Sequence, residues 1–237
     1  MTMLNAANTP ESATTATSLC WSCSAPLKEG ALFCEQCGKI QPPSGGYFSV
    51  FGLEPRLNLD LGMLEHQFHK LSRKLHPDRF GRASEQEKEW SLASSSLLND
   101  AYRTLKEPIA RTRHLLRMHG AEIGEEFAGK DKKDPSRAPA DLLEEVFELN
   151  MQLEELRMGD EDAGLKQSLS EARKKIVALQ GEVDDQLRTE WTKWDEGAES
   201  GNDAAREAAQ KTMIALLDRR RYLSNLVREV TETLGDS

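Results

Sequence analysis

The spacing of apolar residues beyond residue 46 predicts a chain of helices. In the first long one, apolar side chains recur every three or four positions and so share one helical face. They are Leu64, Phe68, Leu71 and Leu75. Asp60 precedes this stripe as a candidate N-cap, because its carboxylate can accept a backbone N–H of the first turn. Pro77 ends the helix, since proline disfavours helical geometry in the residue before it.

Three more helices are predicted around this one. A short helix covers residues 47–52. Ser84 and Glu87 have the spacing of a capping box, which starts a long helix. Its predicted buried stripe consists of Trp90, Leu97, Ala101 and Leu105. Pro108 suits the first turn of a further helix at residues 109–119.

The C-terminal half predicts three longer helices, at residues 140–158, 163–195 and 203–234. The short breaks at Gly159 and at residues 197–201 indicate antiparallel neighbours. No alternating strand pattern appears beyond the region of the cysteines. The pattern therefore predicts an all-α fold that ends in a three-helix bundle.

The helix predicted at residues 140–158 has more apolar surface than one packing partner needs. One stripe comprises Leu142, Val146, Leu149, Leu153 and Leu156. A second stripe comprises Leu143, Phe147 and Met151, with acidic residues beside it. An apolar strip with an acidic rim suits protein binding. The alternative is that this helix buries both of its apolar faces.

Charge is unevenly distributed along the chain. The formal net charge of −9 separates into −1 for residues 1–46, +3 for residues 47–120 and −11 for residues 121–237. Nucleic-acid binding rests on Lys and Arg side chains that neutralise phosphates. The acidic C-terminal part therefore argues against nucleic acid as a partner, although these charges could simply be solvated helix faces.

The sequence also bears on membranes and compartment. It has no apolar run of about 18 residues, so no membrane-spanning helix is expected. Residues 1–19 contain no Lys or Arg, which argues against a secretory signal and a transit peptide, and their composition predicts disorder. We expect a cytoplasmic protein, with the mitochondrial matrix as the alternative.

Four cysteines form two Cys-x-x-Cys pairs, Cys20 with Cys23 and Cys34 with Cys37. Each spacing lets two thiolates on one tight turn reach the same ion, and two such turns complete the tetrahedron of structural zinc. We predict one structural zinc ion in residues 20–40, called the cysteine segment below. Iron and a redox dithiol are the alternatives.

A basic helical face leads into a His-Pro-Asp tripeptide. The face carries His69, Lys70, Arg73 and Lys74, and the tripeptide is His76-Pro77-Asp78. This arrangement is the signature of a J-domain, which residues 47–120 resemble throughout, including YFSVFGL from Tyr47 and NDAYRTLKEP from Asn99. Together with a cysteine segment that begins Cys-Trp-x-Cys, the chain resembles the HscB family, the co-chaperones of iron–sulfur cluster assembly.

The resemblance implies an adaptor protein that catalyses no reaction of its own. The basic face would dock on an acidic patch of a DnaK/HscA-type ATPase chaperone, and such charges govern association and orientation. Asp78 would make a charge-assisted contact with the chaperone, and Pro77 would fix the loop. Leu75 stands where the family commonly has tyrosine, and Arg79 where it commonly has lysine. Both keep an apolar or cationic character.

The resemblance also implies a second partner, an iron–sulfur cluster scaffold protein. The family's scaffold-binding segment resembles residues 143–155, and an aromatic on the neighbouring helix matches Tyr222. The implied scaffold-binding residues are Leu143, Phe147, Glu148, Met151, Glu155 and Tyr222. Met151, like the neighbouring Glu144, differs in type from the family's residue.

Together, these predictions give one architecture. We predict an all-α chain with a small zinc ribbon-like segment, a helical J-domain hairpin and a C-terminal three-helix bundle. The predicted parts are a disordered N-terminus (1–19), the cysteine segment (20–40), the J-domain (47–120), a linker (121–138) and the scaffold-binding domain (139–237).

Three alternatives stand beside the co-chaperone. A zinc-ribbon protein that binds nucleic acid would need a basic stripe, yet only Lys28 and Lys39 lie near the cysteines. A general J-domain folding co-chaperone would carry a Gly/Phe-rich region, which is missing. A redox enzyme would need titratable groups arranged around a cysteine pair. No phosphate-binding glycine loop is present, so the chain is not itself the ATPase. The sequence leaves homodimerisation open.

Overall fold

The computed structural model describes residues 18–123, 140–158 and 163–235. Most of the predicted disordered N-terminus, most of the predicted linker and the predicted break at Gly159 lie outside these residues. Within them, the chain forms seven α-helices. They are α1 (Tyr47–Val50), α2 (Leu61–Leu75), α3 (Glu85–Lys106), α4 (Pro108–Met118), α5 (Leu143–Arg157), α6 (Ala163–Ser200) and α7 (Asp203–Leu234).

Single-turn 3₁₀ helices at Pro77–Phe80 and Ala140–Leu142 complete the secondary structure, apart from two isolated β-bridges near the cysteines. No longer strand occurs in the described ranges. The all-α prediction is therefore confirmed. None of the helices described is both long and apolar enough to cross a membrane.

The predicted helix caps of the first half are present. The Asp60 carboxylate accepts the Met63 N–H at 3.0 Å and caps α2. Ser84 and Glu87 form the reciprocal capping box of α3: the Ser84 N–H donates to the Glu87 carboxylate at 3.1 Å, and the Glu87 N–H donates to the Ser84 hydroxyl at 3.3 Å. These bonds satisfy N–H groups that have no partner inside the helix.

The chain divides into two compact units. The first contains the described residues up to Pro55 together with Asp60–Lys106, and it holds the cysteine segment and α1 to α3. The second contains Arg56–Leu59 and the chain from Glu107 onward. Helix α4 therefore groups with the C-terminal helices, whereas the sequence analysis placed it in the J-domain.

The buried face of α3 differs from the predicted stripe. Ala101 and Leu105 are fully buried as predicted, but Trp90 and Leu97 are only partly covered. The buried positions of α3 are Glu87, Ser91, Ser94, Leu98, Ala101 and Leu105. Small side chains on this face leave room for α2, and the Ser91 hydroxyl donates to the Leu75 carbonyl at 2.7 Å. Serine can face a packing surface when its hydroxyl is bonded in this way.

The long hairpin of α6 and α7 forms the body of the second unit. Helix α6 continues to Ser200, five residues beyond the predicted end at Asp195, and the turn falls at Gly201 with φ of 67°. Gly197 does not break the helix. A Cβ on Gly197 would lie 2.9 Å from Cγ of Arg206, so this glycine permits close approach of α7.

Asp195 anchors a piece of extended chain to this hairpin. Its buried carboxylate accepts the backbone N–H groups of Leu57 and Asn58 at 2.9 and 2.8 Å, and the Asn58 amide at 3.0 Å. Nearby, the His119 ring meets Trp194 edge-on at 4.9 Å between centroids. A buried carboxylate with three donors explains why Arg56–Leu59 belongs to the second unit.

Candidate functional site

The four cysteines converge on one point. All four Sγ atoms lie within 4.8 Å of one another, with Cys20 3.6 Å from Cys37 and Cys23 3.7 Å from Cys34. All are free thiols, and Cys20 and Cys34 are buried. A tetrahedral site with metal–sulfur bonds of about 2.3 Å requires sulfurs about 3.8 Å apart. The cluster therefore has the dimensions of a four-thiolate metal site.

Tight turns bring each pair of cysteines together. In the first turn, the Ser24 N–H donates to the Cys20 carbonyl at 2.9 Å, and Ser24 adopts a φ of 59°. In the second, the Gly38 N–H donates to the Cys34 carbonyl at 2.9 Å, and Gly38 has a φ of 72°. Glycine adopts this left-handed geometry without strain. These two turns explain why the Cys-x-x-Cys spacing is the sequence feature that predicts the metal site.

The electrostatics of Cys20 favour a thiolate. Burial opposes ionisation of the Cys20 thiol, but backbone N–H groups of Cys23 and Ser22 and the adjacent thiols lower its pKa to about 6. The Ser22 N–H lies 3.4 Å from the Cys20 sulfur, and the Gln41 amide nitrogen lies 3.3 Å from it.

The Cys23 thiol behaves in the opposite way. The Ala25 N–H lowers its pKa and burial raises it, but the thiols of Cys37, Cys20 and Cys34 raise it further, to about 12. Four sulfurs this close cannot all be ionised without a cation between them. The donor set therefore fits a soft or borderline metal ion, which would supply that charge.

The His-Pro-Asp loop is exposed between α2 and α3. Pro77 and Asp78 begin the 3₁₀ turn, and His76 precedes it with φ of −57° and ψ of 132°. The His76 Nδ1 atom lies 3.4 Å from both the backbone N and the Oδ2 atom of Asp78. The Ser91 hydroxyl donates to the Leu75 carbonyl at the end of α2, and this bond fixes the backbone just before the 3₁₀ turn. The imidazole and carboxylate thus form a polar pair that is open to a partner.

The basic face is exposed as predicted, on the helix that leads into this loop. His69, Lys70, Arg73 and Lys74 all lie on the solvent side of α2. The Arg73 Nε atom donates to the His69 carbonyl at 3.1 Å, and His69 lies 3.9 Å from Glu65. Lys74 Nζ stands 5.7 Å from the ring centroid of Phe33, in the cysteine segment. This last contact was not predicted, because its two residues are distant in the chain.

The two apolar stripes of α5 have different environments. Leu142, Val146, Leu149 and Leu153 are buried, and α5 contacts both α6 and α7. The second stripe faces outward: Leu143 is 48% exposed, Phe147 68% and Met151 51%. The alternative in which α5 buries both faces is therefore wrong for the described residues. Leu143, Phe147 and Met151 are called the exposed stripe below.

The other predicted scaffold-binding residues surround this stripe or lie on α7. Glu148 and Glu155 are exposed on α5. Tyr222 is partly buried on α7, beside the fully buried Leu223, and burial followed by the charge of Glu229 raises its pKa. At the start of α5, Arg219 pairs with Asp141 through two bonds of 2.9 and 2.7 Å, which ties the 3₁₀ turn to α7.

No protein-family model matches the chain. The mouse iron–sulfur cluster co-chaperone protein HscB is 31% identical over 216 residues, which covers 89% of this chain and 80% of the mouse protein. The chain belongs to the HscB co-chaperone family.

Further relatives agree with that assignment. The human iron–sulfur cluster co-chaperone protein HscB is 34% identical over 163 residues, or 66% of this chain and 65% of the human protein. The crystal structure of human HscB matches with a TM-score of 0.61 at 29% identity, and it covers 91% of this chain. HscB from Vibrio cholerae matches with a TM-score of 0.54 at 25% identity over 79% of this chain.

In this HscB-family chain, two contacts between the cysteine segment and α3 were not predicted from the sequence. Lys39 Nζ lies 2.8 Å from the Glu87 carboxylate, and the rings of Trp21 and Trp90 meet with centroids 5.7 Å apart. Both contacts join the segment to α3. The sequence had assigned Trp90 to the buried stripe of α3, and no local pattern pairs it with Trp21 or Lys39 with Glu87.

Proposed function

We propose that this chain is a co-chaperone that stimulates the ATPase of a DnaK/HscA-type chaperone and delivers an iron–sulfur cluster scaffold protein to it. The observation that carries the proposal is the exposed His-Pro-Asp loop at the end of the basic face. Family membership supports it, since the relatives are named as iron–sulfur cluster co-chaperones. The ATP-hydrolysing groups belong to the chaperone.

The chaperone contact would work through charge and geometry. Lys70, Arg73 and Lys74 would meet an acidic surface of the ATPase, which speeds encounter and sets orientation. The exposed Asp78 carboxylate would then accept a charge-assisted hydrogen bond, the stronger class of such bonds. Pro77 limits the conformations of the loop and so lowers the entropy lost on docking. His76 flanks Asp78 and would orient its carboxylate.

The scaffold contact would use the exposed stripe of α5. Leu143, Phe147 and Met151 give an apolar centre, and Glu148 and Glu155 lie at its edge. Interfaces commonly combine a desolvated apolar core with a polar rim. Tyr222 on α7 would contribute its partly exposed ring to the same surface. An aromatic residue such as Phe147 is a typical interface hot spot.

We assign the metal of the cysteine cluster as one structural zinc ion. Cys20, Cys23, Cys34 and Cys37 would hold it in a closed tetrahedral site with no position left for substrate. When bound, zinc supplies charge neutralisation and a cross-link for a segment that has little core of its own. Reduced cysteines suit a reducing compartment such as the cytoplasm, or alternatively the mitochondrial matrix.

ATP turnover by a purified DnaK-type chaperone tests the proposal. Wild-type protein should increase turnover, and Asp78→Asn should reduce that increase roughly 10- to 100-fold, as expected for loss of a bond to a charged group. Asp100→Asn is the matched control, because Asp100 is a partly exposed carboxylate in the same unit, paired with Arg103. It should behave as wild type. Equal stimulation by wild type and Asp78→Asn would show that the loop has no such role.

A further inference from the structure

The cysteine segment makes three contacts with the helices that flank the His-Pro-Asp loop. The ammonium of Lys74, on α2, stands 5.7 Å from the Phe33 ring centroid. On α3, Glu87 pairs with Lys39 at 2.8 Å and Trp90 meets Trp21 edge-on. All of these residues belong to the first unit. The segment thus touches the chain on both sides of the loop.

Two of the contact residues on the segment, Trp21 and Phe33, lie within or next to the cysteine turns. Trp21 lies between Cys20 and Cys23, and its indole N–H donates to the Ile40 carbonyl at 2.7 Å. Phe33 immediately precedes Cys34, and it pairs with Ile40 in a β-bridge. Because so short a segment folds on its metal, the positions of these side chains depend on the metal.

The residues contacted on α2 and α3 lie near the two helix ends that flank the His-Pro-Asp loop. Lys74 belongs to the basic face and lies two residues before His76. Glu87 accepts bonds from both the N–H and the hydroxyl of Ser84, so Lys39 pairs with a carboxylate of the capping box at the start of this helix. The Lys39 contact, followed by the Ser84 N–H, also lowers the pKa of Glu87.

We propose that the metal-bound cysteine segment positions the chaperone-docking surface. Phe33 holds Lys74 on the basic face, while Lys39 and Trp21 hold the start of α3. Loss of the metal releases both sides of the His-Pro-Asp loop and weakens docking on the chaperone. This inference rests on the proposed function, and it adds to the cysteine cluster a role beyond stability of its own segment.

Two pairs of full-length variants test the inference without disturbing the cysteines. Phe33→Leu removes the ring, and Phe33→Tyr keeps it. Lys39→Met removes the ion pair with Glu87, and Lys39→Arg keeps it. Lys28→Met is the matched control, since Lys28 pairs at 2.8 Å with the exposed Glu35 inside the segment. Metal content is measured for every variant and should stay at one ion per chain.

Two readouts are needed. The first is the concentration that gives half-maximal stimulation of a DnaK-type ATPase, and the second is amide hydrogen exchange at residues 76–90. Phe33→Leu and Lys39→Met should each raise the half-maximal concentration about two- to fivefold with maximal stimulation unchanged, and Lys39→Met should speed exchange at the start of α3. Phe33→Tyr, Lys39→Arg and Lys28→Met should match wild type. Metal-stripped protein should show the larger change in both readouts.

The outcomes separate this inference from the proposed function. Unchanged exchange and half-maximal concentration in metal-stripped protein and in Lys39→Met would overturn the positioning role. If wild-type protein stimulated no DnaK-type ATPase, the proposed function would fail, and hydrogen exchange alone would still decide whether the segment holds α3. An equal effect of Lys28→Met and Lys39→Met would also contradict the inference.

Discussion

The His-Pro-Asp loop and the exposed stripe of α5 both face solvent, but they present different chemistry. The loop offers an imidazole and a carboxylate on a turn that Pro77 and the Ser91–Leu75 bond hold in place. The stripe offers three apolar side chains on a helix whose opposite face is buried. The loop can be recognised from three consecutive residues. An apolar stripe has the same sequence pattern as a core-facing one, so its role depends on what covers it.

The largest expected effect concerns the buried face of α5. Leu153→Ala should lower the free energy of unfolding by about 2–5 kcal/mol, because Leu153 is fully buried. Met151→Ala on the exposed stripe of the same helix should change it by less than about 0.5 kcal/mol. Urea denaturation measures both. Equal losses of stability would mean that the two faces of α5 do not differ as described.

The exposed stripe should show the reverse behaviour in binding. Phe147→Ala should weaken scaffold binding by about 2 kcal/mol, or roughly 30-fold, with little change in stability. Val177→Ala is the control, because Val177 is a similarly exposed apolar residue on α6. Titration calorimetry at 50 and 500 mM salt should give the same loss for Phe147→Ala at both concentrations. If Val177→Ala were as harmful as Phe147→Ala, the stripe would not be the specific site.

The basic face should respond to salt where the exposed stripe does not. Arg73→Ala should slow association with the chaperone by about two- to fivefold at low ionic strength, because an exposed charge of this kind mainly steers encounter. The difference should shrink at 500 mM salt, where the Debye length falls to a few ångströms. Stopped-flow association at both salt concentrations measures it. A defect that persisted at high salt would indicate a packing role for Arg73.

The smallest expected effect concerns the ion pair at the start of α5. Hydrogen bonding to Arg219 lowers the pKa of Asp141 below its ordinary value. The pair therefore stabilises the fold above the ordinary pKa of about 3.9, and this contribution is lost as pH falls through the lower folded-state pKa. Asp141→Asn should lower the urea midpoint slightly at pH 7, and this difference should shrink as the pH falls toward 2. A pH-independent difference would contradict this assignment.

Local signals in the sequence predicted much of the fold. Asp60, Ser84 and Pro77 identified helix boundaries because caps and proline act on neighbouring backbone groups. The predicted end of α6 at Asp195 was wrong because the glycine at 197 indicated a helix break. In the structure Gly197 lies inside α6 and permits the close approach of Arg206. The stripe of α3 was misassigned because Ser91 and Ser94 are polar, and only their burial in the structure shows that they face inward.

The candidate sites were also predictable to different degrees, because some features depend on local spacing and others on contacts between residues that are distant in the sequence. The convergence of the four sulfurs followed from the spacing of two tight turns. The contact of Phe33 with Lys74 joins residues about forty positions apart, and no local pattern encodes it. The division of α5 into a buried and an exposed face could not be derived from its helical wheel, because both stripes have the spacing of a packed face.

The central claim is that one chain connects a scaffold to a chaperone ATPase through two separate surfaces. It is tested most directly by chaperone ATP turnover with and without scaffold, using wild type, Asp78→Asn, Phe147→Ala and an equimolar mixture of the two variants. Wild type should show an additional increase when scaffold is present, and Phe147→Ala should stimulate turnover but lack that increase. Asp78→Asn should show neither effect, and the mixture should not restore the scaffold-dependent increase. A full scaffold-dependent increase with Phe147→Ala, or with the mixture, would contradict the account.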